Sequence, residues 1–179
     1  MTHAVTSDLP LNQAIVNPRA EALAERLERG AQALAAFARG LTGAQWQMRV
    51  PDDGRTIGVV IHHVASVYPV EIQLAQKLAS GSAIVGVTWA VIHAMNAAHA
   101  RQHSTVTKAA ALELLEDHSR AAAAAIRALS DDALTQAAQV SLYGDAPLTC
   151  QFMLEDHAVR HSYHHLARLR AAVADAEGF

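Results

Sequence analysis

HAVRHSYHHLARLR, His157 to Arg170, places four of the chain's 11 histidines within nine residues. Glu, Lys and Arg form helix better than His, so a surface helix has no ordinary use for this many imidazoles. Successive residues of an α-helix turn about 100°, which leaves i and i+4 about 40° apart on one face. With His157 at zero, His161 falls near 40°, His165 near 80° and His164 near −20°, all to about ten degrees. Leu166, Leu169, Val173 and Val159 take the arc from roughly 120° to 200°. His161 and His165 thus border the apolar stripe, beside Leu154, Ala158 and Ala172. His157 and His164 lean toward solvent or support the inner pair. Two imidazoles at i and i+4 can aim at one metal ion.

A third imidazole comes from TIGVVIHHVASVYPVEI, 56–72. On that wheel Val60, Val64, Val67, Leu74 and Leu78 cluster within about 80°, His63 lies beside them and His62 falls about 100° away. His63 is the inward member of the pair. Glu71 points the same way if the helix continues through Pro69, which can kink it; it is a candidate carboxylate supporting a ligand. In WAVIHAMNAAHARQH, 89–103, Trp89, Ile92, Asn96, His99 and His103 share an arc of about 80°. They line a pocket or form an amphipathic face resting on the bundle; for His99 and His103 the second is expected. His93, His118 and His3 read as surface residues. Buried imidazoles without partners cost about 1–3 kcal/mol each, and one ion satisfies three together.

Working outward, apolar residues recur at helical spacing almost throughout, and strand signals are nearly absent. Helices are expected over about 18–40 behind Asn17-Pro18, 56–80 behind Thr56, 87–103, 107–129 behind Thr107 with a short coda after Ser130-Asp131, and 148–175. Turns are expected at Pro51-Asp52-Asp53-Gly54 and at Tyr143-Gly144-Asp145-Ala146-Pro147. Four long helices bury their faces most simply as a bundle, and the segment from 81 to 106 is long enough to cross over it. The expected fold is all-α: a loose leader over 1–17 and a single four-helix-bundle domain over 18–179.

The chain has 179 residues, a net charge of −3 and 4% aromatic residues, so neither a basic field nor stacking platforms for nucleic acid are expected. No uninterrupted apolar run reaches the ~18 residues of a membrane span, and MTHAVTSDLPLNQ lacks the order of a signal peptide. The one cysteine, Cys150, fits a reducing cytoplasm and is expected to be a core residue rather than a nucleophile. Homodimers are the commonest oligomer, and an Ala-rich bundle is expected to form one.

HAVRHSYHHLARLR resembles the terminal-helix motif of the DinB/YfiT-like superfamily, HxxxHxxHH. LTGAQWQMRVPDDGRTIGVVIHHVASV resembles that family's earlier segment, where a Trp-containing loop leads into a helix with one histidine. HSTVTKAAALELLEDHSRAAAAAIRALSDDAL is similar to its third helix. The resemblance implies a four-helix bundle with a long crossover and a divalent metal held by His63, His161 and His165. Zinc is the first expectation; nickel, iron and manganese also suit three imidazoles. Family members often carry Gln where Arg168 stands and an acidic residue where Ser66 stands. Arg168, close to the ligands on the wheel, would suit an anionic substrate or extend to water. The resemblance also implies a small-molecule substrate and a low-molecular-weight thiol as co-substrate, hence a metal-dependent thiol S-transferase. Metal-assisted hydrolysis and non-catalytic binding of metal or a small ligand are the alternatives.

Overall fold

The computed structural model describes residues 17–178. Helix α1 (Pro18–Gly40) starts as the sequence dictates: Asn17 caps it by accepting from the Arg19 N–H, and Pro18 occupies the first turn. The Asn17 side chain also donates to the Leu129 carbonyl, tying this end of the bundle together. Leu23, Leu27, Ala31, Leu34 and Ala38 form the buried stripe of α1. After the short helix α2 (Gly43–Gln47), closed by a Thr42–Gln45 capping box, comes helix α3 (Ile57–Ala79), capped by Thr56. Trp46 of α2 donates its indole N–H to the Val106 carbonyl at 3.0 Å and packs closely against Gly58.

Helix α3 is the central element. Its most apolar 18-residue window meets the hydropathy of a membrane span although polar residues interrupt it, and 67% of that window is buried inside the bundle. The apolar surface is therefore used against other helices. Helix α3 runs unbroken through Pro69, which has no N–H to give the Ala65 carbonyl one turn earlier. His118 supplies the missing donor, with Nδ1 2.9 Å from that oxygen. His118 is accordingly a structural hydrogen-bond donor between helices, not the plain surface residue its position suggested.

Helix α4 (Trp89–Gln102) follows a crossover segment, and helix α5 (Lys108–Arg127) returns to the bundle behind the Thr107 cap. The expected coda is helix α6 (Asp131–Thr135), capped by Ser130. An antiparallel ribbon of β1 (Ala137–Val140) and β2 (Ala146–Thr149) then pairs Ala137 with Thr149 and Val140 with Ala146. The expected turn at 143–147 is the tip of this hairpin, with Gly144 and Asp145 both at positive φ. AAQV and APLT lack the β-branched alternation that announces strands; their pairing with each other, and the Ile84 N–H to Gln139 carbonyl bond, create them.

The last helical stretch opens with α7 (Cys150–Met153), passes through a π-helical turn at Leu154–Val159 and continues as α8 (Arg160–Glu177). In the bundle, α1 packs against α5 and α8, and α3 packs against α5 and the α7–α8 stretch. The core is the interface of these faces, with Leu27, Leu34, Ile61, Tyr68, Ile126 and Leu169 completely or almost completely buried. Tyr68 and Ser162 share a 2.6 Å hydroxyl–hydroxyl hydrogen bond there, which satisfies both deep inside.

Candidate metal centre

Helices α3 and α8 bring His63, His161 and His165 together. One ring nitrogen from each lies within 4.8 Å of the others. The rings sit 5.3 Å (His63 to His161), 5.7 Å (His63 to His165) and 4.8 Å (His161 to His165) apart, centroid to centroid. His63 and His165 are buried, and His161 is half-buried.

Glu71 completes the arrangement. It stays in register because α3 does not break at Pro69, and it is buried at 6% exposure. Its Oε1 lies 2.5 Å from His161 Nδ1. A carboxylate can only accept, so Nδ1 carries the proton and the lone pair of His161 sits on Nε2. That Nε2 is buried and has no hydrogen-bond partner, and His165 Nδ1 is in the same condition. Buried nitrogens are normally satisfied, so two unsatisfied ones in a cluster of three imidazoles fit a ligand set. A carboxylate–histidine contact of this kind orients a metal-binding ring and raises its basicity. The donor set therefore suits a divalent ion of the zinc, nickel or iron type, with room left in its coordination shell.

Electrostatics point the same way. Burial, then the neighbouring His161, pushes His63 down to about 3 and His165 down to about 2. Both are neutral at physiological pH, with lone pairs free to donate. The guanidinium of Arg55 also contributes to lowering both, so it lies close to the histidines. Arg55 holds Asp53 through Nε at 2.5 Å and Nη2 at 2.8 Å, while its Nη1 is buried without a partner. Burial alone would raise the Asp53 carboxyl, but the Arg55 hydrogen bonds and charge outweigh it and hold it below its ordinary value. Arg168, which the sequence left between a site cation and a residue extending to water, reaches Asp53 at 3.4 Å from a partly exposed position. Arg55 was missed because it precedes the α3 cap and no helical wheel includes it; the acidic turn beside it, PDDGR, was the available signal.

The other named residues divide in two. His157, placed on the outer edge by an ideal wheel, lines the cavity described below and meets the Tyr143 hydroxyl at 3.0 Å. The π turn accounts for this, since each wide turn takes up an extra residue and rotates what precedes it. His164 is exposed, as the wheel placed it. Asn96 lines the cavity. His99 and His103 do not simply rest an amphipathic face on the bundle: with His62 they form a second histidine cluster. His62, expected outside the apolar arc, is 8% exposed because α4 covers that side of α3. Cys150 is buried in the core, and burial pushes its thiol up to about 11, which removes it as a nucleophile.

The cavity beside the three histidines has a volume of about 220 Å³. His63, Glu71, Asn96, His157 and His161 form its polar part; Val67, Leu74, Ile84, Ile92, Met95 and Met153 are among its apolar walls. A wider cleft between α1 and α5 holds Glu28, Arg39, Glu116 and Arg120 and contains no histidine.

Comparison with known proteins bears on the fold. The chain is similar in structure to YfiT from Bacillus subtilis, described as a probable metal-dependent hydrolase with an unusual four-helix bundle topology. The TM-score is 0.71 at 17% identity, covering 96% of this chain and 94% of that one. It is also similar to a mycothiol-dependent maleylpyruvate isomerase, with a TM-score of 0.65 at 18% identity, over 84% of this chain and 60% of that longer one. At these identities the likeness establishes the fold alone. A search of curated proteins finds no match. The sequence model of the DinB superfamily matches residues 26–169, from within α1 to within α8, and the chain belongs to that superfamily.

Proposed function

We propose that this protein is a metal-dependent hydrolase of a small, largely apolar molecule. The observation that carries the reading is the cluster of His63, His161 and His165, with buried, unpartnered nitrogens on His161 and His165, beside a largely apolar cavity. His63, His161 and His165 would hold the ion, and a bound divalent ion supplies Lewis acidity that makes water a nucleophile near neutral pH. The chain's own groups do the rest. Glu71 fixes the His161 tautomer and keeps its Nε2 free. The apolar walls bury the body of a substrate and exclude bulk water. His157 Nε2 donates to the Tyr143 oxygen, while the Tyr143 hydroxyl donates to Asp156 at 2.6 Å, which holds one side of the cavity in place.

The thiol-dependent transfer implied by the family resemblance has behind it only a likeness of fold to a mycothiol-dependent isomerase. A binding protein without turnover is the third reading. One set of assays separates them: small ester and amide substrates, with and without added thiol, on protein with measured metal content. The expected result is thiol-independent turnover, lost with a chelator and in His161→Ala, retained in His164→Ala. Turnover only with thiol would replace the hydrolase by a transferase, and metal loading without any turnover would make it a binding protein.

A further inference from the structure

The dipeptide His62-His63 on α3 sends its two rings to different helices. His63 meets the i, i+4 pair His161 and His165 of α8; His62 meets another i, i+4 pair, His99 and His103, at the end of α4. One nitrogen from each of His62, His99 and His103 lies within 4.8 Å of the others. The His62 and His103 rings are 4.1 Å apart, and those of His99 and His103 are 4.7 Å apart. His62 Nδ1 lies 2.9 Å from His99 Nε2.

A hydrogen bond between His62 and His99 accounts for part of this. It gives no reason for His103 to crowd in against both rings. Two nitrogens 2.0–2.1 Å from one tetrahedrally coordinated ion are about 3.4 Å apart, so the His62–His99 contact need open by only about half an ångström to admit one. We propose that His62, His99 and His103 form a second site for a divalent transition-metal ion, distinct from the one at His63, His161 and His165. Three imidazoles select zinc, nickel, cobalt or copper over magnesium and calcium.

The position of α4 gives this site a consequence. No residue of α4 is fully buried, and Trp89, Val91 and Met95 are 61%, 44% and 55% exposed. The helix therefore has little apolar anchorage, yet Val91, Ile92, Met95 and Asn96 form one wall of the cavity. An ion joining His99 and His103 to His62 pins α4 to α3 and fixes that wall. The His63 and His99 rings stand 5.5 Å apart, centroid to centroid, so the two sites adjoin.

The test is a metal count, and it does not depend on any activity. Metal-stripped protein is dialysed against Co²⁺, bound cobalt is measured by elemental analysis, and the visible spectrum is followed. Two ions per chain are expected. The His99→Ala/His103→Ala variant, changed only at half-buried positions of α4, should bind one. The His161→Ala/His165→Ala variant should also bind one, with the spectrum of the second site. Hydrogen exchange in α4 should slow when that variant takes up its ion. A wild-type chain that binds one ion and loses it only with His161→Ala/His165→Ala overturns the second site and leaves the first standing. Equal binding by wild type and His99→Ala/His103→Ala overturns it as well. Loss of a single ion only with His99→Ala/His103→Ala would instead overturn the first.

Discussion

Lowering the pH from 7 to 5.5 should destabilise the metal-free protein steeply, and the two most buried imidazoles of the metal centre set a lower bound on the effect. His63 and His165 are held far below the ordinary histidine value by burial and by each other's neighbours. The unfolded chain takes up protons on both near pH 6.5, while the folded chain does not until far lower. Below 6.5 the unfolded state therefore binds more protons, and stability falls as pH falls. Any folded value well below 5.5 gives the same difference over this interval: about 1.3 kcal/mol per residue, about 2.5 kcal/mol for the two. For a domain of this size that lowers Tm by roughly 5–10 °C. His62 and His99 are also lowered, chiefly by burial, and act in the same direction. The assay is thermal denaturation of chelator-treated protein at intervals between the two pH values. His63→Leu/His165→Leu should remove about 2.5 kcal/mol of this pH dependence and leave the part set by the other lowered histidines. A Tm that stays level or rises as pH falls would refute the neutral, buried state of these imidazoles, and with it their readiness to donate to an ion.

Three further outcomes follow from particular contacts. Glu71→Gln removes the charge that fixes the His161 tautomer and should weaken metal binding about 10–100-fold while leaving the far-UV spectrum unchanged, as measured by competition with a chromophoric chelator. His118→Ala strands the Ala65 carbonyl opposite Pro69 and should cost about 1–3 kcal/mol in urea denaturation. Adding Pro69→Ala returns an N–H to that carbonyl, so the double variant should recover much of the loss; equal losses in both backgrounds would mean the bond contributes nothing. Gly58→Ala places a methyl 2.4 Å from the Trp46 ring, and should cost about 1–3 kcal/mol through the shift it forces, read by thermal denaturation and Trp fluorescence.

The sequence by itself determined the parts of this protein that are local. Asn17, Thr56, Thr107 and Ser130 cap helices because each side chain reaches an N–H two or three residues ahead, and that needs no other part of the chain. The His161–His165 pairing and the inward placement of His63 follow from helical periodicity within single helices. What the tertiary structure decided is everything that depends on which face another element covers. His62 is buried only because α4 lies over it, and His99 and His103 gain a role only because His62 is there. Glu71 reaches His161 because Pro69 leaves α3 unbroken, which His118 of another helix helps to make tolerable. Arg55 lies outside every periodic segment, and the π turn moves His157 off the wheel that would have placed it. A wheel describes one ideal helix; burial, pairing and the extra residue of a π turn are set by chain segments far apart in sequence, whose packing energies no local pattern contains.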